Sequence, residues 1–232
     1  MIKLCLLALL ASGCAKTDSS DLLTSGIYAG LSARATGAGT TTVSATLYVG
    51  NPNNLNFVEL TGDDQLIASY GGQSKTMGQT ELGNIVSHYA EFSTDADGAA
   101  FQIAFQRVVD AGAPMSTVTL PARFTVTPPP ASASRAAALP LTWSPAASAD
   151  PMTWKATGTC IADAQGGITG DPGTMMIAAG TFVKLQGQNI PDTCMVSITV
   201  TRSRAGVLDP HYGKGGSATG IQARTVMVMS TP

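Results

Sequence analysis

Histidine is scarce in this chain, with 2 copies among 232 residues, and charge is thin, with Asp, Glu, Lys and Arg making up 12%. A typical soluble domain carries about 25% charged residues. Catalytic and metal sites draw heavily on histidine, so its scarcity counts against both. The 13 Lys and Arg form no cluster, and the formal net charge is −2. Nothing offers a phosphate backbone a row of cations, so no nucleic-acid partner is expected. The apolar run at residues 4–11 is far shorter than the roughly 20 residues that cross a bilayer. No segment shows a convincing helical period. With so few charges, the polar surface has to come from Thr, Ser, Gln and Asn, which suits the pleated surfaces of exported β-proteins.

What the chain has in quantity is alternation. Residues 42–49 (TVSATLYV) place Val43, Ala45, Leu47 and Val49 on one face and Thr42, Ser44, Thr46 and Tyr48 on the other. That is the pattern of a half-buried strand. Residues 101–107 and 195–202 repeat it. Further strands are expected at 26–35, 56–60, 65–70, 86–94, 118–127, 139–143, 152–160, 174–183 and 220–229. Gly, Asn, Asp and Pro separate them, as at 51–54, 62–64, 95–98, 166–167 and 170–173. These residues tolerate turn dihedrals. Many short strands between such turns indicate an all-β chain of antiparallel β-sandwiches. Residues 128–137 open with three prolines, and Ala and Ser follow. Proline cannot donate to a sheet and favours an extended spacer. We therefore expect a linker at 128–137 between two tandem immunoglobulin-like β-sandwich domains, 21–127 and 138–232.

The first residues have a different character. Lys3, the apolar run 4–11 and the small residues Ser12 and Gly13 form a secretory signal peptide, expected at 1–13. Ala11-Ser12-Gly13-Cys14 resembles the lipobox of bacterial lipoproteins, although Ala11 stands where that family more often has leucine. The resemblance implies that Cys14 is alkylated with diacylglycerol, becomes the first residue after cleavage, and holds the protein to a membrane. Two or more acyl chains anchor stably where one binds weakly. Ala15, rather than aspartate, follows the cysteine, which in that family implies the outer membrane. Residues 14–20 then read as a lipidated polar tether. The competing reading is an ordinary signal peptide with an incidental cysteine. Cys5 lies in the discarded part. Behind an export signal, Cys160 and Cys194 are expected to form a disulfide.

A faint echo links the halves: residues 103–107 and 198–202 both end apolar-x-apolar-x-Arg, and each precedes a later Ala-Arg at 122–123 and 223–224. Duplication and coincidence both explain it. Arg107 and Arg202 are in phase with inward residues. Each either covers the core with its stem and keeps its head in water, or is buried against a carboxylate, with Asp209 or Asp171 available to Arg202.

No catalytic set, cofactor or metal site is expected. Asp95-Ala96-Asp97-Gly98 lacks the later carboxylates of a calcium loop and reads as a turn. Residues 213–217 hold P-loop residue types in the wrong order, and Ser74 lacks the glycine spacing of a nucleophile elbow. His88 reads as a surface or edge residue of a strand, and His211 as a loop residue beside Asp209. Tyr48 faces outward, and with Tyr89, and with Tyr28 and Tyr70 nearby, it offers a candidate ligand-binding platform. The chain as a whole resembles uncharacterised bacterial lipoproteins with immunoglobulin-like domains. That resemblance implies a non-enzymatic interaction or structural module of the cell envelope, with an envelope protein or polysaccharide as partner. The alternatives are a glycan-binding module and a secreted hydrolase with a dispersed active site.

Overall fold

The computed structural model describes residues 15–54, 56–83 and 85–232. Cys14, the expected lipidation site, lies outside them. The first half carries β1 (Ala15–Asp18), β2 (Ile27–Ala35), β3 (Thr41–Val49), β4 (Asn56–Glu59), β5 (Gln65–Tyr70), β6 (Gln73–Thr76), β7 (Gly78–Leu82), β8 (Ile85–Phe92), β9 (Ala100–Gln106) and β10 (Ala113–Thr119). The second carries β11 (Thr125–Val126), β12 (Ser132–Ser134), β13 (Leu139–Ser144), β14 (Met152–Gly158), β15 (Ile161–Ile168), β16 (Thr174–Ile177), β17 (Cys194–Ala205) and β18 (Ser217–Thr231). The chain is all-β, as its alternation indicates.

One large sheet runs β1-β4-β3-β2-β18-β17-β14-β15, with β8 also on β3, β7 on β8 and β12 on β18. Two smaller sheets, β10-β9-β5-β6 and β11-β13-β16, pack against it. Two cores result. In the first, small inward residues of the large sheet (Ala29, Ala33, Ala35, Ala45, Ala90) leave room for Phe101, Ile103 and Phe105 of the facing sheet. Small against large lets two pleated faces interdigitate at the usual spacing of about 10 Å. In the second, Trp143, Leu141 and Phe124 lie under Met152, Ala156, Val196, Ile198 and Val200. The Cys160–Cys194 disulfide, with Cα atoms 5.7 Å apart, belongs to this core.

The two sandwiches share their large sheet through β18. Its first residues pair in parallel with β2, from Ser217↔Gly30 to Gln222↔Ala35. Most of its length pairs antiparallel with β17, from Ala205↔Thr219 to Cys194↔Ser230. Ala218 belongs to the first core and Val228 to the second. Fifteen residues of strand span about 50 Å at 3.3 Å per residue, long enough to serve both. Gly220 makes the junction close: a Cβ there would lie 1.9 Å from the Thr119 carbonyl oxygen of the facing sheet.

Several local expectations are corrected. Residues 118–127 are not one strand. β10 ends at Thr119, and the chain crosses between cores before β11, since Leu120 packs in the first and Phe124 in the second. Gly166 and Gly167 lie within β15 instead of a turn. A Cβ on Gly166 would come within 2.8 Å of the Trp154 indole nitrogen, so this position needs a bare backbone. Within the expected linker, Ser132–Ser134 forms β12, parallel to the end of β18. Within the expected tether, Ala15–Asp18 forms β1, parallel to β4.

Both inward-phased arginines have fully buried, paired side chains. Arg107 Nε donates to Asp64 Oδ2 at 3.0 Å, and its other nitrogens donate to Leu22 O, Thr24 Oγ1 and Ser19 O. Arg202 donates to Asp171 Oδ2 at 2.5 Å and to the carbonyls of Ala122 and Pro145. The partner of Arg202 is therefore Asp171; Asp209 is engaged elsewhere. Burial without these carboxylates would cost several kcal/mol per ion.

Candidate functional site

Among the described residues, several places combine accessible space with chemically able side chains. The first is the outer face of β2, β3 and β8. Tyr28 and Tyr48 pair across the ladder with ring centroids 6.0 Å apart, and Tyr48 meets Phe57 of β4 at 5.0 Å. Burial, with Tyr28 beside it, raises the Tyr48 pKa, so the phenol stays neutral. Tyr89 is exposed on the same face, opposite Ser44. Ser44 is four residues from Tyr48, so the two rings stand roughly 13 Å apart along the sheet. Between them runs a row of hydroxyls, Ser32 on Ser44 at 2.8 Å and Thr46 on Ser87 at 3.1 Å. Tyr70 is not part of this face. It belongs to the facing sheet, where it is half-buried and stacks on Phe101 at 4.9 Å at the edge of the core.

The second place is the end of the first sandwich. The Asp209 carboxylate is buried and accepts the backbone N–H of Met115 at 2.7 Å and of His211 at 2.9 Å. Its Oδ1 lies 2.8 Å from His211 Nδ1, whose ring is 55% exposed. Burial works to raise the Asp209 pKa, but these bonds outweigh it and hold the carboxyl below its ordinary range. A carboxylate held this way fixes the orientation of an imidazole. His211 also lines a cavity of 210 Å³ with Leu23, Thr24, Ser25, Asp110 and Ala111. Asp, His and Ser thus meet at one end of the fold. No hydrogen bond joins Ser25 to His211 among the described residues; an activated serine would need one.

The third is a groove of 520 Å³ on β14 and β15, lined by Thr153, Trp154, Lys155, Gln165, Gly166 and Gly167. The fourth, of 280 Å³, lies where the sandwiches meet. Phe124 and Arg224 line it, and the Phe124 ring has the Arg202 and Arg224 guanidiniums at 4.9 and 5.3 Å. Arg224 donates to Gln222 and to backbone carbonyls, and burial lowers its pKa.

His88 is not at a surface. It is 1% exposed, in phase with Val86, Ala90 and Phe92 of β8, and among the described residues neither ring nitrogen has a hydrogen-bond partner of normal geometry. Burial lowers its pKa, and the backbone of Ala45 acts in the opposite sense. It is a neutral filler of the core, remote from the Asp209–His211 pair. Ser25, Trp154 with Gly166, and Arg224 were not singled out by sequence reasoning. Ser25 meets His211, and Arg224 meets Phe124, from far along the chain, and Gly166 faces Trp154 only through the β14–β15 pairing.

No protein-family model matches this chain, and no curated protein matches it. Among solved structures, it is similar to the FN1–FN3 domains of chicken CNTN1, at 7% identity over 95% of this chain and 69% of that one, with a TM-score of 0.31. It is similar to the I-band fragment I67–I69 of titin, at 8% identity over 85% and 63%, with a TM-score of 0.25. It is similar to the Yersinia pseudotuberculosis adhesin InvE, at 12% identity over 86% and 58%, with a TM-score of 0.23. The chain spans less than two thirds of the last two. Likeness of this degree carries no functional argument, and the fold class rests on the strand pairing described above.

Proposed function

We propose that this chain is an envelope lipoprotein, anchored through Cys14, that acts as a non-enzymatic interaction or structural module. The observation that carries this reading is the order of its parts. Lys3, the apolar run and Ala11-Ser12-Gly13-Cys14 lead directly into a wholly β body that begins at Ala15. The outer membrane is the proposed site, by the Ala15 argument. An envelope protein or polysaccharide is the proposed partner. A body whose sandwiches share one sheet suits presentation of a surface more than closure around a substrate. The test is the intact mass of the native protein after membrane fractionation, with and without reduction. Expected is a chain beginning at an acylated Cys14 and gaining two hydrogens on reduction. A soluble, unacylated mass would overturn the anchor.

A specific observation favours each of two further readings. The Tyr28–Tyr48–Phe57 contact with Tyr89 beyond it suits a glycan. Tyr48→Ala should then abolish glycan binding, and unchanged binding removes the platform. The Asp209–His211 pair beside Ser25 suits ester hydrolysis. Equal background hydrolysis by the parent chain and by Ser25→Ala and His211→Ala removes that reading.

A further inference from the structure

Five large exposed aliphatic side chains of the first sandwich gather at one end, while the exposed Met115 and Val207 lie along β10. Leu82 is 81% exposed, Val108 72%, Leu23 66%, Val109 63% and Ile85 45%. Register places them together. Ile27 pairs with Val49, and the Gly50 N–H bonds to Gly26 O, so the segment bearing Leu23 lies at this end. His88 pairs with Ala45, which brings Ile85 level with Tyr48 and puts the β7–β8 turn at the same end. The loop bearing Val108 and Val109 is fastened there: Arg107 donates to Leu22 O, and Asp110 and Ala111 accept from Thr24. The opposite end meets the second sandwich, where Gln222 donates to Asp95 O.

Separate exposed aliphatics are ordinary, but five around one rim mark an interaction surface. The start of the described chain indicates what covers it. Ala15 pairs with Asn56, and Lys16 bridges Glu59 at 3.2 Å and Glu81 at 3.0 Å, next to Leu82. Acyl chains on Cys14 would therefore emerge within one residue of the folded edge, beside the β7–β8 turn, with no spacer to hold the body off the bilayer. Lys214, in the loop tied to Ile27 O through Gly213, is exposed at this end with no salt bridge among the described residues. Asp21, Asp63 and the partly exposed Asp110 lie at this end too, so it has no net positive charge and its contact is through the apolar side chains.

We propose that this end of the first sandwich is a bilayer-contact surface: Leu82, Ile85, Leu23, Val108 and Val109 enter the headgroup and acyl boundary beside the Cys14 anchor. The second sandwich then points away from the membrane. This rests on the anchoring proposed above. Apolar faces that lie in the interface enter about 5–10 Å and bind in proportion to the apolar area they bury, so this end also fixes the orientation of a tethered body.

The test uses the full chain purified from membranes, with single substitutions Leu82→Cys, Val109→Cys, Met176→Cys and Met227→Cys. With Cys160 and Cys194 bonded and Cys14 acylated, each added cysteine takes one fluorophore. The protein is reconstituted in vesicles of phosphatidylethanolamine and phosphatidylglycerol with brominated acyl chains. Probes at 82 and 109 should be quenched several-fold more than those at 176 and 227, which sit exposed on the second sandwich. Equal quenching at all four sites overturns the proposal. So does excimer formation between pyrene probes at 82 without lipid quenching, which would assign the surface to a second copy. The mass measurement tests the anchor separately. If it shows no acylation, the labelled chains in a Cys14→Ser background are mixed with the same vesicles. Selective quenching at 82 and 109 then upholds the surface without the anchor, and its absence overturns both.

Discussion

Removing the Asp171 carboxylate should be among the most damaging single changes to this protein. Asp171 Oδ2 accepts from Arg202 at 2.5 Å and from the Ser148 N–H at 2.9 Å, and Oδ1 accepts from the Trp143 indole at 2.6 Å. Neither charged side chain of the pair is exposed to solvent. Asp171→Ala leaves a buried guanidinium with only carbonyls for company and strands two N–H donors. Breaking a buried pair by removing one partner costs about 3–5 kcal/mol. In a chain of this size each kcal/mol lowers Tm by roughly 2–4 °C, so a fall of about 6–20 °C is expected. Urea unfolding followed by tryptophan fluorescence and by far-UV circular dichroism measures it. Both tryptophans lie in the second sandwich, whereas the dichroism reports both. Because β18 crosses both cores, the two signals should change together. The double variant Asp171→Leu/Arg202→Met removes both charges and should recover part of that loss, because no unpaired guanidinium remains, while the Trp143 and Ser148 donors stay stranded. A loss below about 1 kcal/mol in Asp171→Ala, or no recovery in the double variant, would refute the reasoning on the ion pair. Separate transitions by the two signals would refute the coupling through the shared sheet.

Three other outcomes are expected. Burial holds the His88 pKa below its ordinary value, so below about pH 6.5 the unfolded chain binds a proton there that the folded chain does not. Stability should fall with a slope of up to about 1.4 kcal/mol per pH unit as pH drops from 6.5 toward the folded pKa. In His88→Val that contribution should vanish, and parallel stability profiles of the two proteins would contradict it. Gly220→Ala drives a methyl against the Thr119 carbonyl and should cost about 3 kcal/mol or more; a Tm equal to the parent's would show that β10 can yield. Replacing Cys160 and Cys194 together by alanine opens a loop of 34 positions and should cost about 2–4 kcal/mol in urea titrations. An unchanged midpoint would mean that the core holds those strands without the bond.

Strands were legible here because their signal is local. Side chains in a strand alternate faces, so Val43, Ala45 and Leu47 announce β3 without knowledge of its neighbours. β6 and β7 escaped notice because every residue in them is exposed and no apolar alternation marks them. His88 shows the same limit from the other side. Its parity with Val86, Ala90 and Phe92 placed it on the inward face, yet its polarity argued for the surface, and position in the sheet prevailed. The candidate sites were less legible still. Tyr48 and Tyr89 could be assigned to faces by parity, whereas Ser25 and His211 share a cavity only because loops from both ends of the chain meet.

The sequence by itself therefore determined the β class, most strand positions, the cysteine partners and the burial phase of Arg107 and Arg202. Only the tertiary structure decided which carboxylate neutralises each arginine, that Ala15–Asp18 is a strand at the edge of the fold, and that β2 and β18 join two sandwiches into one sheet. The physical reason is the range of the interactions. Alternation records what each residue does against its own strand, but backbone hydrogen bonds between strands are indifferent to side-chain identity. Which strand lies beside which is settled only when whole faces are buried together.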